Sequence, residues 1–165
     1  MNFTFNTLFD QCPKLLQSRI SALKDVPQRS DYHPEGNVLN HTKIVVNRLS
    51  KFRDATLSWA GMFHDIGKDE TTKLSEKGYL QAIDHEKVSA ELVAQNGLFL
   101  IHQGVEPDYV HEIVLNHMRI KTIEEMKLSK QMNMRRLHTF GLLQLFRIAD
   151  DMSTLTDKEL ESIGV

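Results

Sequence analysis

One cysteine, four prolines and eight glycines in 165 residues leave little room for several kinds of protein. With Cys12 alone, neither an intramolecular disulfide nor a thiolate metal cage can form; this fits a reducing, cytoplasmic setting and leaves histidines and carboxylates as the available metal ligands. No 18 apolar residues run together, and the start MNFTFNTLFDQC has no basic residue before Lys14, no compact apolar segment and no small-residue cleavage site. A soluble, unexported protein with no membrane contact is therefore expected. Neither sign of charge dominates: 20 basic and 22 acidic residues offer no global steering toward nucleic acid, and there is no DNA-binding motif. The modestly basic stretch Lys121, Lys127, Lys130, Arg135 and Arg136 reads as a solvated helix face. The length fits a single domain over residues 1–165 that buries a core without staples, and nothing in the pattern sets an oligomeric state.

What the chain does contain is helical periodicity almost throughout, with no convincing alternating run, so an all-α domain is expected. A first helical region covers residues 4–24, broken near Pro13, and a turn-rich loop follows from Pro27 to Asn37. Helices are expected over 38–52 and 54–66, the second N-capped by Asp54 and C-capped by Gly67. A polar loop over 68–84 has room for a small hairpin at Lys77-Gly78. Further helices run from Asp84-His85 to Gln95, where Asn96-Gly97 breaks the pattern, and from Pro107 to His117. The stretch 131–152 reads as two helices parted near Gly141, and Thr156 with Glu159 forms a capping box for a terminal helix.

On each major helix a histidine or aspartate stands where the apolar stripe would otherwise continue. Val38, His41, Val45 and Leu49 share one face; Leu57, Ala60 and His64 another; His85, Val88 and Leu92 a third; Val110, Ile113, Val114 and His117 a fourth; Leu143, Phe146 and Asp150 a fifth. Any one such histidine alone is more often a hydrogen-bonded core residue than a ligand. Together with buried carboxylates they read differently, because those stripes carry no obvious lysine or arginine to neutralise both Asp65 and Asp150, and a divalent cation would. His41, His64, Asp65 and Asp150 then form a first metal site, while His85 and His117 bind a second ion or the substrate. Asp151 lies about 100° further round its helix and is the solvent-facing member of its pair. Lys68 either reaches a bound phosphate or faces the negative end of a helix dipole; Arg119 either grips phosphate or faces solvent.

The order His41, His64-Asp65, His85, His117, Asp150 resembles the HD superfamily of metal-dependent phosphohydrolases, an all-α fold. The segments VPQRSDYHPEGNVLNHT, FHDIGK, DHEKVSAEL, VLNHMR and LLQLFRIADD are similar to the HD domain attached to bacterial tRNA nucleotidyltransferases and related poly(A) polymerases, from about residue 9 to 152. The polymerase head of those enzymes, with its glycine-serine turn and paired aspartates, has no counterpart here, so a free-standing HD domain is expected and nucleotide addition to tRNA is not. The resemblance implies hydrolysis of phosphomonoesters and 2',3'-cyclic phosphodiesters on nucleotides or RNA ends. The metal activates water, Asp65 is the pivotal ligand, Lys68 and Arg119 meet the phosphoryl oxygens, and His85 or His117 either binds a second ion or protonates the leaving oxygen. Imidazole and carboxylate ligation admits one or two ions of manganese, nickel, cobalt, magnesium, iron or zinc. A 5'-nucleotidase acting on free nucleoside monophosphates and a non-catalytic nucleotide- or RNA-binding module are the alternative readings.

Overall fold

The computed structural model describes residues 2–151. Helices α1 (Phe5–Gln11) and α2 (Lys14–Ala22) part at Cys12-Pro13, as the proline requires. There follow α3 (Val38–Leu49), α4 (Ala55–Phe63), the short α5 (Lys68–Thr71), strands β1 (Thr72–Leu74) and β2 (Leu80–Ala82), then α6 (His85–Gln95), α7 (Gly97–His102), α8 (Pro107–Ile120), α9 (Leu128–Arg135) and α10 (Phe140–Asp151). The all-α expectation holds, with one antiparallel ribbon, Thr72 opposite Ala82 and Leu74 opposite Leu80, at the expected turn. Gly78 closes that turn at φ 78°, a conformation glycine adopts without steric cost.

Two side chains start the helices that position the centre. Asn37 Oδ1 accepts from Asn40 N at 2.9 Å and Asp54 Oδ1 from Leu57 N at 2.8 Å, so α3 and α4 each begin on a satisfied cap. Helix α4 is the axis of the molecule, every residue from Leu57 to Phe63 being buried. Helices α3, α8 and α10 pack around it and α6 lies along α8, enclosing Trp59, Phe63, Ile113 and Phe146.

The structure corrects several boundaries. Helix α4 stops at Phe63, not Ile66, and Gly67 has φ −76°, so it is no left-handed cap. Its role is close approach: a Cβ there would lie 2.6 Å from His85 O and 2.9 Å from Ser89 N, which is how the α4–α5 turn sits against the start of α6. The last long stretch breaks at Arg136–Thr139, and Gly141 lies inside α10. The cause is tertiary: the Glu112 carboxylate on α8 accepts from both Thr139 N and the Thr139 hydroxyl, fixing the start of α10. Helix α7 was not foreseen. Asn96 ends α6 by donating its amide to Leu92 O at 2.8 Å, after which four apolar residues form one more helical segment. The expected capping box at Thr156 and Glu159 lies outside the described residues.

Candidate metal centre

The fold brings six predicted residues to one buried place. His41 projects from α3, His64 and Asp65 stand in the turn after α4, His85 opens α6, His117 lies on the last turn of α8, and Asp150 lies near the end of α10; all six are buried. His85 follows Asp84, whose φ of 60° turns the chain sharply from β2 into α6. The ligand atoms fall into two groups, each within 4.8 Å: His41, His64 and Asp150, and Asp65, His85 and His117. Asp65 joins them. Its Oδ1 lies 3.1 Å from His85 Nε2 and 3.8 Å from His117 Nε2, while its Oδ2 lies 3.3 Å from His64 Nε2 and 3.7 Å from His41 Nε2.

Each of the four rings commits Nδ1 to an acceptor. His64 Nδ1 donates to Gly61 O at 2.8 Å, His85 Nδ1 to Ala82 O at 2.7 Å, His117 Nδ1 to Val114 O at 2.7 Å, and His41 Nδ1 to Glu35 Oε1 at 2.7 Å. Carbonyls and carboxylates only accept, so each Nδ1 carries a proton and the Nε2 atoms face the centre; His41 Nε2 meets the Asp150 carboxylate at 3.0 Å, so in the metal-free protein that ring donates from both nitrogens. His64 Nε2 and Asp65 Oδ2 are buried and make no hydrogen bond with any described residue. Asp65 Oδ2 is nonetheless within ion-pair distance of Lys68 Nζ, so what it lacks is an aligned hydrogen bond and not a nearby charge. Inward imidazole nitrogens, two buried carboxylates and orphaned acceptors fit a divalent cation.

The electrostatics agree. Burial alone would raise Asp65 and Asp150, yet His64 and Lys68 hold the first, and His41 and Lys121 the second, well below the usual carboxylate range. Burial opposes charge on His41, but its hydrogen bonds to Asp150 and Glu35 prevail and push it up to about 9. His117 goes the other way, to about 3, through burial and the neighbouring His64.

Three further residues, Lys121, Glu35 and Gln28, are not site residues on the sequence pattern alone. Lys121 Nζ lies 2.7 Å from Asp150 Oδ2 and 3.4 Å from Asp151 Oδ1, so it is no solvated bystander, and Asp150 does have a lysine partner. Its signal was present: it stands four residues after His117, on the same stripe. Glu35 Oε1 accepts from both His33 and His41, and with both Nδ1 atoms turned onto one oxygen the trio orients His41 more than it offers a further ion site. The position of Glu35 depends on the loop folding back, which periodicity does not reveal.

Lys68 Nζ is held between Asp65 Oδ2 and Gln28 Oε1, 2.8 Å from each. It lines a cleft of about 200 Å³ beside the centre, together with His33, His85 and residues of the 27–32 loop and β2. Arg119 is exposed and donates to Asn116 Oδ1 at 3.1 Å. Asp151 is exposed, as its helical angle requires, and faces Arg147.

The sequence model of the HD domain matches residues 32–155, the segment that carries all six candidate ligands. The chain belongs to the HD domain family. HD domains are metal-dependent phosphohydrolases as a superfamily and bind divalent metals, in agreement with the donor set. Among characterised proteins, this HD domain is 40% identical over 62 residues to the multifunctional CCA protein of Neisseria meningitidis serogroup B and 41% identical over 58 residues to that of Dechloromonas aromatica. These matches cover about a third of the chain (35% and 34%) and 14% of each relative's length. Among the described residues, no helix is long and apolar enough to cross a membrane.

Proposed function

We propose that this HD domain hydrolyses phosphate esters of nucleotides or RNA ends, opening 2',3'-cyclic phosphodiesters or releasing monoester phosphate. The observation that carries the reading is the placement of Asp65, whose two oxygens face two separate sets of imidazole Nε2 atoms at 3.1 to 3.8 Å. His41, His64, Asp65 and Asp150 would hold one divalent ion, with Asp65, His85 and His117 offering a second place; such ions supply Lewis acidity and an activated water. The chain's own residues supply the rest. Lys68, fixed between Asp65 and Gln28 on the cleft wall, presents a positive charge to a phosphoryl oxygen. Glu35 fixes the His41 ring and Lys121 the Asp150 carboxylate, so the ligand geometry is set before an ion arrives. The likeness to multifunctional CCA proteins supports a nucleotide or RNA end as the ester.

The test is phosphate release from a 2',3'-cyclic nucleotide, a 5'-monophosphate and a 2'-phosphate, each with manganese, cobalt, nickel, magnesium, iron or zinc. Release that falls at least about a hundredfold in Asp65→Asn, with helical circular dichroism unchanged, supports the proposal. Failure of every ester and ion to yield product, or full turnover by the variant, overturns it.

A further inference from the structure

The cleft beside Lys68 has features that a bare phosphate does not require. Arg29 reaches out from its wall with the guanidinium carbon 4.8 Å from the Tyr32 ring centroid and 4.7 Å from that of Tyr79. That guanidinium is already paired with Asp31, Nε to Oδ1 at 3.1 Å and Nη2 to Oδ2 at 2.5 Å. With its charge balanced, Arg29 serves as a planar spacer that holds two phenol rings, and so ties the 27–37 loop to the tip of the hairpin.

The loop is ordered from within. Gln28 N donates to Gly36 O at 3.1 Å, and Tyr32 N and His33 N both donate to Arg29 O, at 3.1 and 2.8 Å. Yet Tyr32 remains 63% exposed, a large ring held at the cleft mouth by fixed backbone. Deeper in, Gln28 gives its Oε1 to Lys68 Nζ, while its Nε2 is buried and has no hydrogen-bond partner among the described residues. A buried amide donor without an acceptor is costly, and the Gln28 side chain that carries it lines the cleft.

We propose that the cleft is a nucleoside subsite. The base lies on the free face of Tyr32, with Arg29 and Tyr79 behind it; Gln28 Nε2 donates to an oxygen of the sugar or base; and the phosphate lies at the Lys68 and His85 end. A volume of about 200 Å³, below the usual range for ligand pockets, suits a single nucleoside and not a folded RNA. The subsite deepens the phosphate-ester reading and rests on it for the position of the phosphate.

Calorimetric titration of the manganese-loaded full chain with adenosine 5'-monophosphate and with glycerol 2-phosphate, which has no base, tests it. Wild type binds the nucleotide more tightly than glycerol phosphate. Tyr32→Ala weakens nucleotide binding roughly tenfold more than glycerol phosphate binding, and Tyr32→Phe, which keeps the ring, restores it. Equal affinity for both ligands, no binding of the nucleotide, or equal losses on both in Tyr32→Ala overturns the subsite. Phosphate release measured alongside separates the two ideas: base-dependent binding without release keeps the subsite and sinks the hydrolase reading, whereas release without base dependence does the reverse.

Discussion

His85 and His117 face one another with their Nε2 atoms 3.3 Å apart, each ring having committed Nδ1 to a main-chain carbonyl. Rings so arranged crowd their Nε2 atoms together, and burial beside His64 and His85 disfavours charge on His117. A cation held among Asp65, His85 and His117 would relieve that crowding.

Loading with a divalent ion should therefore stabilise the fold. At a free concentration a hundredfold above the dissociation constant, linkage gives about 2.7 kcal/mol, which at this chain length is a rise of roughly 5 to 10 °C in Tm. Differential scanning calorimetry with and without chelator reads it. A His117→Gln chain that shows the full shift would exclude His117 from the site.

Glu35 never approaches the centre except through His41. Glu35→Gln keeps the shape and removes the charge that orients the ring, so ion affinity measured by competition with a chromogenic chelator should fall about 10- to 100-fold. Unchanged affinity would reduce Glu35 to a loop fastener.

The metal-free protein should be most stable near pH 6.5. His41 has its pKa raised to about 9, so its contribution is complete below the unfolded value of 6.5 and is lost as the pH rises through 9. His117 is depressed to about 3, so the unfolded chain binds the extra proton and stability falls as the pH drops from 6.5 toward 3. Glu35, lowered to about 2 against burial by its bonds to His41 and His33, adds a loss between pH 4.5 and 2. Urea denaturation across pH in chelator tests this, and in His41→Gln the alkaline limb should flatten. A variant with an unaltered alkaline limb would assign it elsewhere.

Lys121 lies 2.7 Å from a buried carboxylate. Removing one member of a buried pair leaves the other uncompensated, and since the Lys121 side chain is 30% exposed the loss for Lys121→Met should fall below the roughly 3 to 5 kcal/mol of a fully buried pair, at about 2 kcal/mol. Saturating divalent ion should shrink that loss, because it replaces the missing charge on Asp150. Equal losses with and without the ion would mean that Lys121 acts by packing alone.

Most of the centre could be read from the sequence because helical periodicity is a local property: one inward histidine or aspartate per stripe places His41, His64, His85, His117 and Asp150 in the interior of any bundle that buries those stripes. The same rule turned Asp151 outward, and Asp54 announced its own cap. What escaped depends on contacts distant in the chain. Glu35 and Gln28 act through a loop that closes on itself, Thr139 marks a helix start only because Glu112 reaches it from α8, and Gly67 is demanded by the backbone of α6. Lys121 belongs by composition to a basic surface run, and only its stripe position four residues after His117 marks it as facing Asp150.

His41 and Asp150 meet at 3.0 Å across 109 residues of sequence. An ion joining them would close a loop spanning most of the domain, a cross-link without a covalent bond. The set is complete only when α10 has docked, so ion uptake would report the completed tertiary structure and not its early helices. Unfolding from the loaded state then begins with release of the ion or rupture of the α10 contact, and a slowly exchanging ion would make the domain long-lived even where its equilibrium stability is modest.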